Sequence, residues 1–390
     1  MRTAATEESI NSTTGGILHL SFELGRKKWK LGFTIGLGQK ARKKTVPGGD
    51  TAAVQEEIAA AKRRFGLPED ARVVSCYEAG PEGFWLHRWL LSIGVESVVV
   101  DSASIEVDRR KRRAKSDGLD VQSLLKLLCR HTMGEPKVWS VVHVPPVPIE
   151  DLRQLHRELA TLTEERTRIR NRIRGLLTVH GINVQRWSKL GEELSTMRLW
   201  DGSALGERLR QRLEREIERL QLVQRQLCGL EKEMAGELKA AVEPGSALAL
   251  MQRLAGVRGI GAQGARVMAV ELFAWRGFRN RRELGGSTGL TPTPYQSGKT
   301  AHEQGIDKAG NRWLRRVAIQ LAWSWVRWQP RSALTQWFNE KFAHAGRRQR
   351  RVGIVAVARK LLIALWRYAL GAPLPDALTG QDMVYVLKAA

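Results

Sequence analysis

The stretch ARVVSCYEAGPEGFWLHRWLLSIGVESVVVD (Ala71–Asp101) decides the fold of the first third of the chain. Ala71 to Tyr77 is a β-branched, strand-like run, and a Gly-Pro turn follows it. An apolar helical stretch then runs from Phe84 to Ile93. Val95 to Val100 is a second short β-branched run of the kind found in buried strands. Working outward, Ile17 to Leu24 and Lys30 to Ile35 alternate apolar and polar residues across a basic turn, which predicts a hairpin. Gly48-Gly49-Asp50 is a turn or cap signal before an amphipathic helix over Ala52–Phe65, and Asp117–Cys129 has helical periodicity. Strands and helices alternate, so residues 17–147 are expected to form an α/β domain with a central sheet, behind a polar, disordered tail at 1–16.

Pro145, Pro146 and Pro148 mark a boundary, because proline continues neither a helix nor a central strand. Beyond it the period changes. Leu152, Leu155, Leu159, Leu162, Ile169, Ile173 and Leu176 follow heptad spacing, with Arg166 at the missing position. A second long helix, about Leu205–Ala240, carries Leu209, Leu213, Ile217, Leu220, Val223, Leu227, Leu230 and Met234. Residues 148–243 therefore read as a long-helix, coiled-coil region whose stripes pair within one chain or between chains; they offer a natural place for oligomerisation. Residues 244–390 form a third, mostly helical segment. In it, Leu254–Gly261 is a glycine-rich turn before a helix over Ala262–Phe273. This is similar to a helix-hairpin-helix, in which turn N–H groups meet a phosphate. Helices over Lys308–Trp328 and Gly353–Leu370 complete it.

Composition bounds the function. The 390 residues hold 64 Lys and Arg against 40 Asp and Glu, a net charge of +24, and the pI is near 10.6. The apolar fraction of 43% is too high for a disordered chain. No apolar run is long enough to span a membrane, and no signal-peptide pattern precedes the first domain, so a cytoplasmic location is expected. Cys76, Cys129 and Cys228 match neither a disulfide framework nor a zinc site. The natural partner of such a positive field is DNA or RNA. The charge is uneven, concentrating at 26–44, 109–115, 308–316 and 347–351.

Four carboxylates lie where strands end or a helix begins: Glu23, Glu78, Asp117 and Asp120. The i, i+3 spacing of the two Asp residues sets them on one face of a helix start. Sites in open α/β sheets form outside the carboxyl ends of strands. Converged carboxylates repel one another unless a cation neutralises them, and hard oxygen ligands favour Mg²⁺ or Mn²⁺. Taken singly, each acid reads equally as a solvated strand end or a helix cap. Arg109, Arg110, Lys111, Arg112, Arg113 and Lys115 lead directly into the Asp pair and could hold a phosphate backbone. Arg347, Arg348, Arg350 and Arg351 form a second phosphate-contacting segment. The motif Gly289-Leu-Thr-Pro-Thr-Pro-Tyr-Gln-Ser-Gly-Lys299 sets Ser297 in a proline-framed loop, with Lys299, Lys308, Arg312 and Arg315 able to surround it. That makes it a candidate nucleophile. Ser287, at an apparent helix end, is its rival. Trp313, Trp323, Trp325, Trp328 and Trp337 are expected in helix packing rather than stacked on bases.

The strings YEAGPEG (77–83), AKSDGLDVQSL (114–124) and GLTPTPYQSGK…QGIDKAGNRWLRR (289–316) resemble the insertion-sequence transposases that carry a four-acid N-terminal domain and a C-terminal serine, the bridge-RNA-guided recombinases. The resemblance runs from about residue 17 to 370. It implies an RNase H-type, RuvC-like fold holding metal on Glu23, Glu78, Asp117 and Asp120, a coiled-coil insert, and Ser297 as the residue that bonds covalently to DNA. It further implies donor and target DNA and a structured bridge RNA as partners, with a homo-oligomer, dimer or tetramer. Glu23 departs from the family's usual Asp, and Arg258 stands where the family often has Pro. The alternatives are a metal-only junction nuclease, which needs the acids but not the serine, and a non-enzymatic nucleic-acid-binding protein.

Overall fold

A computed structural model describes residues 16–105, 117–297 and 300–373, and within those only the backbone of 117–119, 295, 297, 300–303 and 343. The expected tail and the basic run at 109–115 lie outside the described residues. The chain divides into two compact units at Val144/Pro145.

The first unit is a five-stranded sheet in the order β3-β2-β1-β4-β5. Strands β1 (Leu18–Leu24), β2 (Lys28–Thr34) and β3 (Arg42–Pro47) form an antiparallel meander. Strands β4 (Val73–Glu78) and β5 (Glu96–Val100) continue it in parallel from β1. Alternation assigns the faces. Leu18, Leu20, Phe22, Val73 and Tyr77 meet Val54, Ile58 and Ala61 of helix α1 (Thr51–Arg64) and Leu86 and Leu90 of α2 (Trp85–Ser92). Val74, Cys76 and Val100 meet Leu124 and Leu128 of α3 (Asp117–Thr132) on the opposite face. Asp50 caps α1, its carboxylate accepting from the Ala53 N–H at 3.0 Å, and Lys62, Arg63 and Arg64 sit at the negative end of the helix dipole. Strand β3 escapes the expected pattern: only Val46 of Arg-Lys-Lys-Thr-Val-Pro is buried, as suits a charged edge strand that shows no apolar alternation.

The second unit opens with α4 (Val147–Thr178). Pro146 is its cap residue and Pro148 lies in its first turn, where a missing N–H costs nothing, so these prolines start the helix. Helix α6 (Glu207–Lys239) returns antiparallel, after the short α5 (Leu190–Glu193) in the connection. Leu159, Leu162, Ile169, Ile173 and Leu177 pack in one cluster with Leu213, Ile217, Leu220, Val223 and Leu227. The two stripes therefore bury each other within one chain. Of the two pairings the sequence left open, the structure shows the one within a chain.

A helical bundle completes this unit: α7 (Ala247–Ala255), α8 (Gly261–Met268) with a π-turn over Ala269–Phe273, α9 (Arg281–Thr288), α10 (Arg312–Trp328), α11 (Ala333–Phe338) and α12 (Arg347–Ala369). At Gly264 a Cβ would come within 2.5 Å of Leu321 Cδ2, so glycine permits the close approach of α8 and α10. Trp325 is fully buried, its indole N–H donating to Ser332 Oγ at 2.9 Å, and Trp313 stacks on His156; Trp323 and Trp328 are exposed. The proline-framed segment is not a loop but a two-stranded hairpin, β6 (Pro292–Ser297) and β7 (Thr300–Ile306). Pro292 and Pro294 are tolerated because the ribbon has only one ladder and its register shifts between those prolines. The 347–351 segment is likewise helical, forming the start of α12.

Candidate functional site

In the first unit, Glu23 and Glu78 stand at the carboxyl ends of neighbouring parallel strands. The β1–β4 register runs to Phe22↔Tyr77, and these acids occupy the next position on each strand. By alternation both lie on the α3 face: Ser21 Oγ donates to the Val121 carbonyl at 2.9 Å, and Cys76 Sγ contacts the Leu124 carbonyl at 3.9 Å. His19 Nε2 meets Thr132 Oγ1 at 2.8 Å. Helix α3 therefore runs against β1 with its start, Asp117 and Asp120, toward the strands' carboxyl ends. Glu78 is the last residue of β4, not the residue after it. Glu23, Glu78 and Asp120 are half-buried, and Glu23 registers across from Lys30 of β2. Among the described side chains, which exclude that of Asp117, no three His, Cys, Asp or Glu groups close around one point as a metal cage. The all-carboxylate donor type and the shared face suit a hard divalent cation.

In the second unit, Ser297 is the last residue of β6, with its backbone paired to Thr300. Lys299 and the Ser297 side chain lie outside those described. The base of the hairpin is closely held. Asp307 N–H donates to the Thr291 carbonyl at 2.9 Å, and Asn311 N–H to the Ser287 carbonyl at 2.9 Å. Asn311 Oδ1 caps α10, accepting from the N–H groups of Trp313 and Leu314. Arg315 donates from Nη1 to the carbonyls of Thr288, Lys308 and Gly310 at 3.0–3.4 Å, so it braces the hairpin base from within. Gly289 and Lys308 both adopt left-handed φ, 64° and 63°. Such a φ is easy for glycine and strained for lysine, and it holds Lys308 exposed. Arg312 is exposed beside it. Ser287 has its hydroxyl engaged with the Leu284 carbonyl at 2.8 Å.

Arg347, Arg348, Arg350 and Arg351 are exposed, and the first turn of α12 contains no acid. Cations at a helix N-terminus oppose the dipole. Arg347, Arg348 and Arg351 line an open groove with Val352 and Val355. The α7–α8 turn is as glycine-rich as its sequence suggests. However, the N–H groups of Gly256, Val257 and Ile260 donate inside the turn and the Arg258 carbonyl accepts from Gln329 Nε2. Those three N–H groups are spent within the turn.

A buried polar network was not legible in the sequence. Glu271, in the π-turn and 1% exposed, accepts from His156 Nε2 at 3.0 Å and Arg157 Nε at 2.8 Å, and pairs with Arg153 at 2.8 Å. Burial pushes its carboxyl up, but the hydrogen bonds from His156, Arg157 and Arg153 together outweigh that and hold it well below the usual carboxylate range. Burial lowers the His156 imidazole, against the raising effect of Glu271. Arg266, fully buried, pairs with Glu237 and donates to the Leu152 carbonyl at 2.9 Å. The partners of Glu271 are more than 100 residues away in sequence, so no local spacing reveals them. No helix among the described residues is long and apolar enough to cross a membrane.

Residues 251–336 match the transposase IS116/IS110/IS902 family. Over 364 residues, covering 90% of this chain and 92% of the relative, the sequence is 39% identical to "Putative transposase y4rJ" of Sinorhizobium fredii. It is 28% identical over 257 residues, 65% of this chain and 71% of the relative, to the transposase for insertion sequence element IS1328 of Yersinia enterocolitica.

Proposed function

Because the chain belongs to the IS116/IS110/IS902 family of transposases, we propose that it recombines DNA through Ser297, assisted by divalent metal on Glu23, Glu78, Asp117 and Asp120. Its enzyme class is transposase, and its substrates are DNA. The observation that carries the finer reading is the register of β1 and β4, which brings two acids to adjacent strand ends on the face where α3 begins. The mixed sheet with helices on both faces is in keeping with an RNase H-type, RuvC-like unit.

In this reading the Ser297 hydroxyl attacks a phosphodiester. The Oγ–P bond forms as the P–O3′ bond breaks, and the proton given up by the serine is balanced by one gained at the departing 3′ oxygen. When bound, Mg²⁺ or Mn²⁺ supplies charge neutralisation at the phosphoryl oxygens. The four acids hold the cation, and Lys308 and Arg312 add positive charge beside the nucleophile's hairpin. Asn311 and Arg315 hold that hairpin's base. Donor and target DNA, a structured bridge RNA and further copies of the chain are the proposed partners. An excess charge of +24 suits a protein that holds RNA as well as DNA.

The test is covalent trapping. Wild-type protein, mixed with the structured RNA flanking its gene and matching DNA in Mg²⁺, should give a protein–DNA adduct that survives denaturing electrophoresis. Ser297→Ala should give none, and Asp120→Asn should lose strand cleavage. A Ser297→Ala protein that still recombines DNA normally removes the serine from the mechanism.

A further inference from the structure

The network around Glu271 holds more positive charge than its single carboxylate meets. Arg153 and Arg157 both pair with Glu271. A third arginine, Arg276, follows the π-turn and faces the same three charges, Arg153, Glu271 and Arg157. It makes no ion pair among the described residues. Its guanidinium lies over the Trp275 ring at 4.6 Å, and that of Arg153 over the same ring at 5.6 Å, so one indole carries two cations. The Nε atoms of Arg153 and Arg276 are buried with no hydrogen-bond partner, and Arg153 is 9% exposed. Arg266, deeper in the unit, already has Glu237. His156 is neutral at physiological pH, since burial lowers its imidazole, so it adds no charge to either side.

Three guanidinium groups therefore share one carboxylate in a largely desolvated place. Two like charges so placed repel, and an unmatched buried charge is costly. Arg157 is 47% exposed in its side chain, so the cluster presents one guanidinium at the surface, where an anion can meet it. Planar, forked donors with unspent N–H groups match the oxygens of a phosphate.

We propose that Arg153, Arg157 and Arg276, backed by Trp275, form a pocket for a phosphate group, separate from the Ser297 hairpin. The transposase reading enters only in the expectation that this phosphate belongs to a bound nucleic-acid strand. Glu271 then acts as the fixed anion that orients two of the arginines, and the bound phosphate supplies the missing negative charge.

The experiment uses the full chain stripped of nucleic acid. It is melted in chloride and in inorganic phosphate at matched ionic strength, and titrated with a labelled single-stranded oligonucleotide over a salt series. Phosphate should raise the wild-type melting temperature by about 2–4 °C more than it raises that of Arg276→Gln. The difference between the two proteins removes the general stabilising action of phosphate. The oligonucleotide's salt slope should fall by about 1 in the variant. Arg157→Gln, at the solvent edge, should repeat both effects. A variant that loses the phosphate response but keeps the salt slope supports the pocket with free phosphate as its occupant. Ser297→Ala should keep both responses, so a failure of the recombination chemistry leaves this readout intact. Equal phosphate responses and equal slopes in wild type and Arg276→Gln overturn the pocket.

Discussion

At Glu271 a carboxylate with 1% exposure is surrounded by His156, Arg153 and Arg157, each reaching it within 3.0 Å. Removing that carboxylate leaves buried cations facing one another. Glu271→Gln is therefore expected to cost about 3 kcal/mol, seen as a lower denaturant midpoint at unchanged slope. A cost below about 1 kcal/mol would mean the arginines simply swing to solvent. The same group sets a pH dependence. His156 is depressed below its ordinary 6.5 in the fold, so the unfolded chain binds its proton first, and stability falls as pH drops through 6.5. Glu271, also depressed, keeps its contribution until pH falls below the ordinary carboxylate value of 4.5. The charged neighbours of His156 are Glu271, Arg157 and Arg266, and it stacks on Trp313 at 5.4 Å. The melting temperature should decline from pH 7.5 to 5.5, and His156→Gln should flatten that decline. A variant with the wild-type slope would assign the decline to other groups.

Elements differ in how openly the sequence announces them. Strands β1, β2, β4 and β5 and helices α1 to α3 show in the sequence within a few residues, because each buries a regular face. Strand β3 does not, since Arg42–Pro47 buries one side chain only. The β6–β7 hairpin hides behind its prolines, and the basic start of α12 hides a helix that carries no cap or acidic first turn. The positions of Glu78 at a strand end and Asp117 at a helix start are legible because the first closes a clear periodic run and the second opens one. The Glu271 cluster is not, because its members come from α4 and from a turn far along the chain. Two element-scale outcomes follow from packing. A Cβ at Gly310 would lie 2.3 Å from the Gly286 carbonyl oxygen and from the Gly289 nitrogen, both rigid backbone at the hairpin base. Gly310→Ala should cost about 1–3 kcal/mol and abolish adduct formation while leaving DNA binding near wild type. Normal adduct yield would show that the hairpin base tolerates displacement. Ile173, fully buried between α4 and α6, should cost about 2–5 kcal/mol as Ile173→Ala without changing the protomer number in sedimentation. Dissociation of an oligomer by this variant would return the seam to an intermolecular role.

Across the whole molecule the charge is the dominant fact, +24 over 390 residues. Part of it is exposed and part is not: Lys308, Arg312 and the arginines of 347–351 face solvent, while Arg276 lies half-buried beside Glu271 and two other arginines. Self-repulsion of this kind destabilises the free protein and is screened by salt, with a Debye length of about 10 Å at 0.1 M. Nucleic-acid binding responds with the opposite sign, because each phosphate contact releases a counterion and salt reverses that gain. Raising chloride from about 20 mM to about 300 mM should therefore raise the melting temperature of the nucleic-acid-free protein and weaken its binding to DNA by orders of magnitude. The two slopes come from one set of residues, so Arg347→Gln combined with Arg351→Gln should reduce both. The internal ion pairs, such as Arg172 with Glu216 at 2.9 Å, act the other way, since salt weakens attraction as well. If the free protein melts lower as salt rises, those pairs outweigh the repulsion, and the excess charge is already dispersed well enough to need no polyanion for stability.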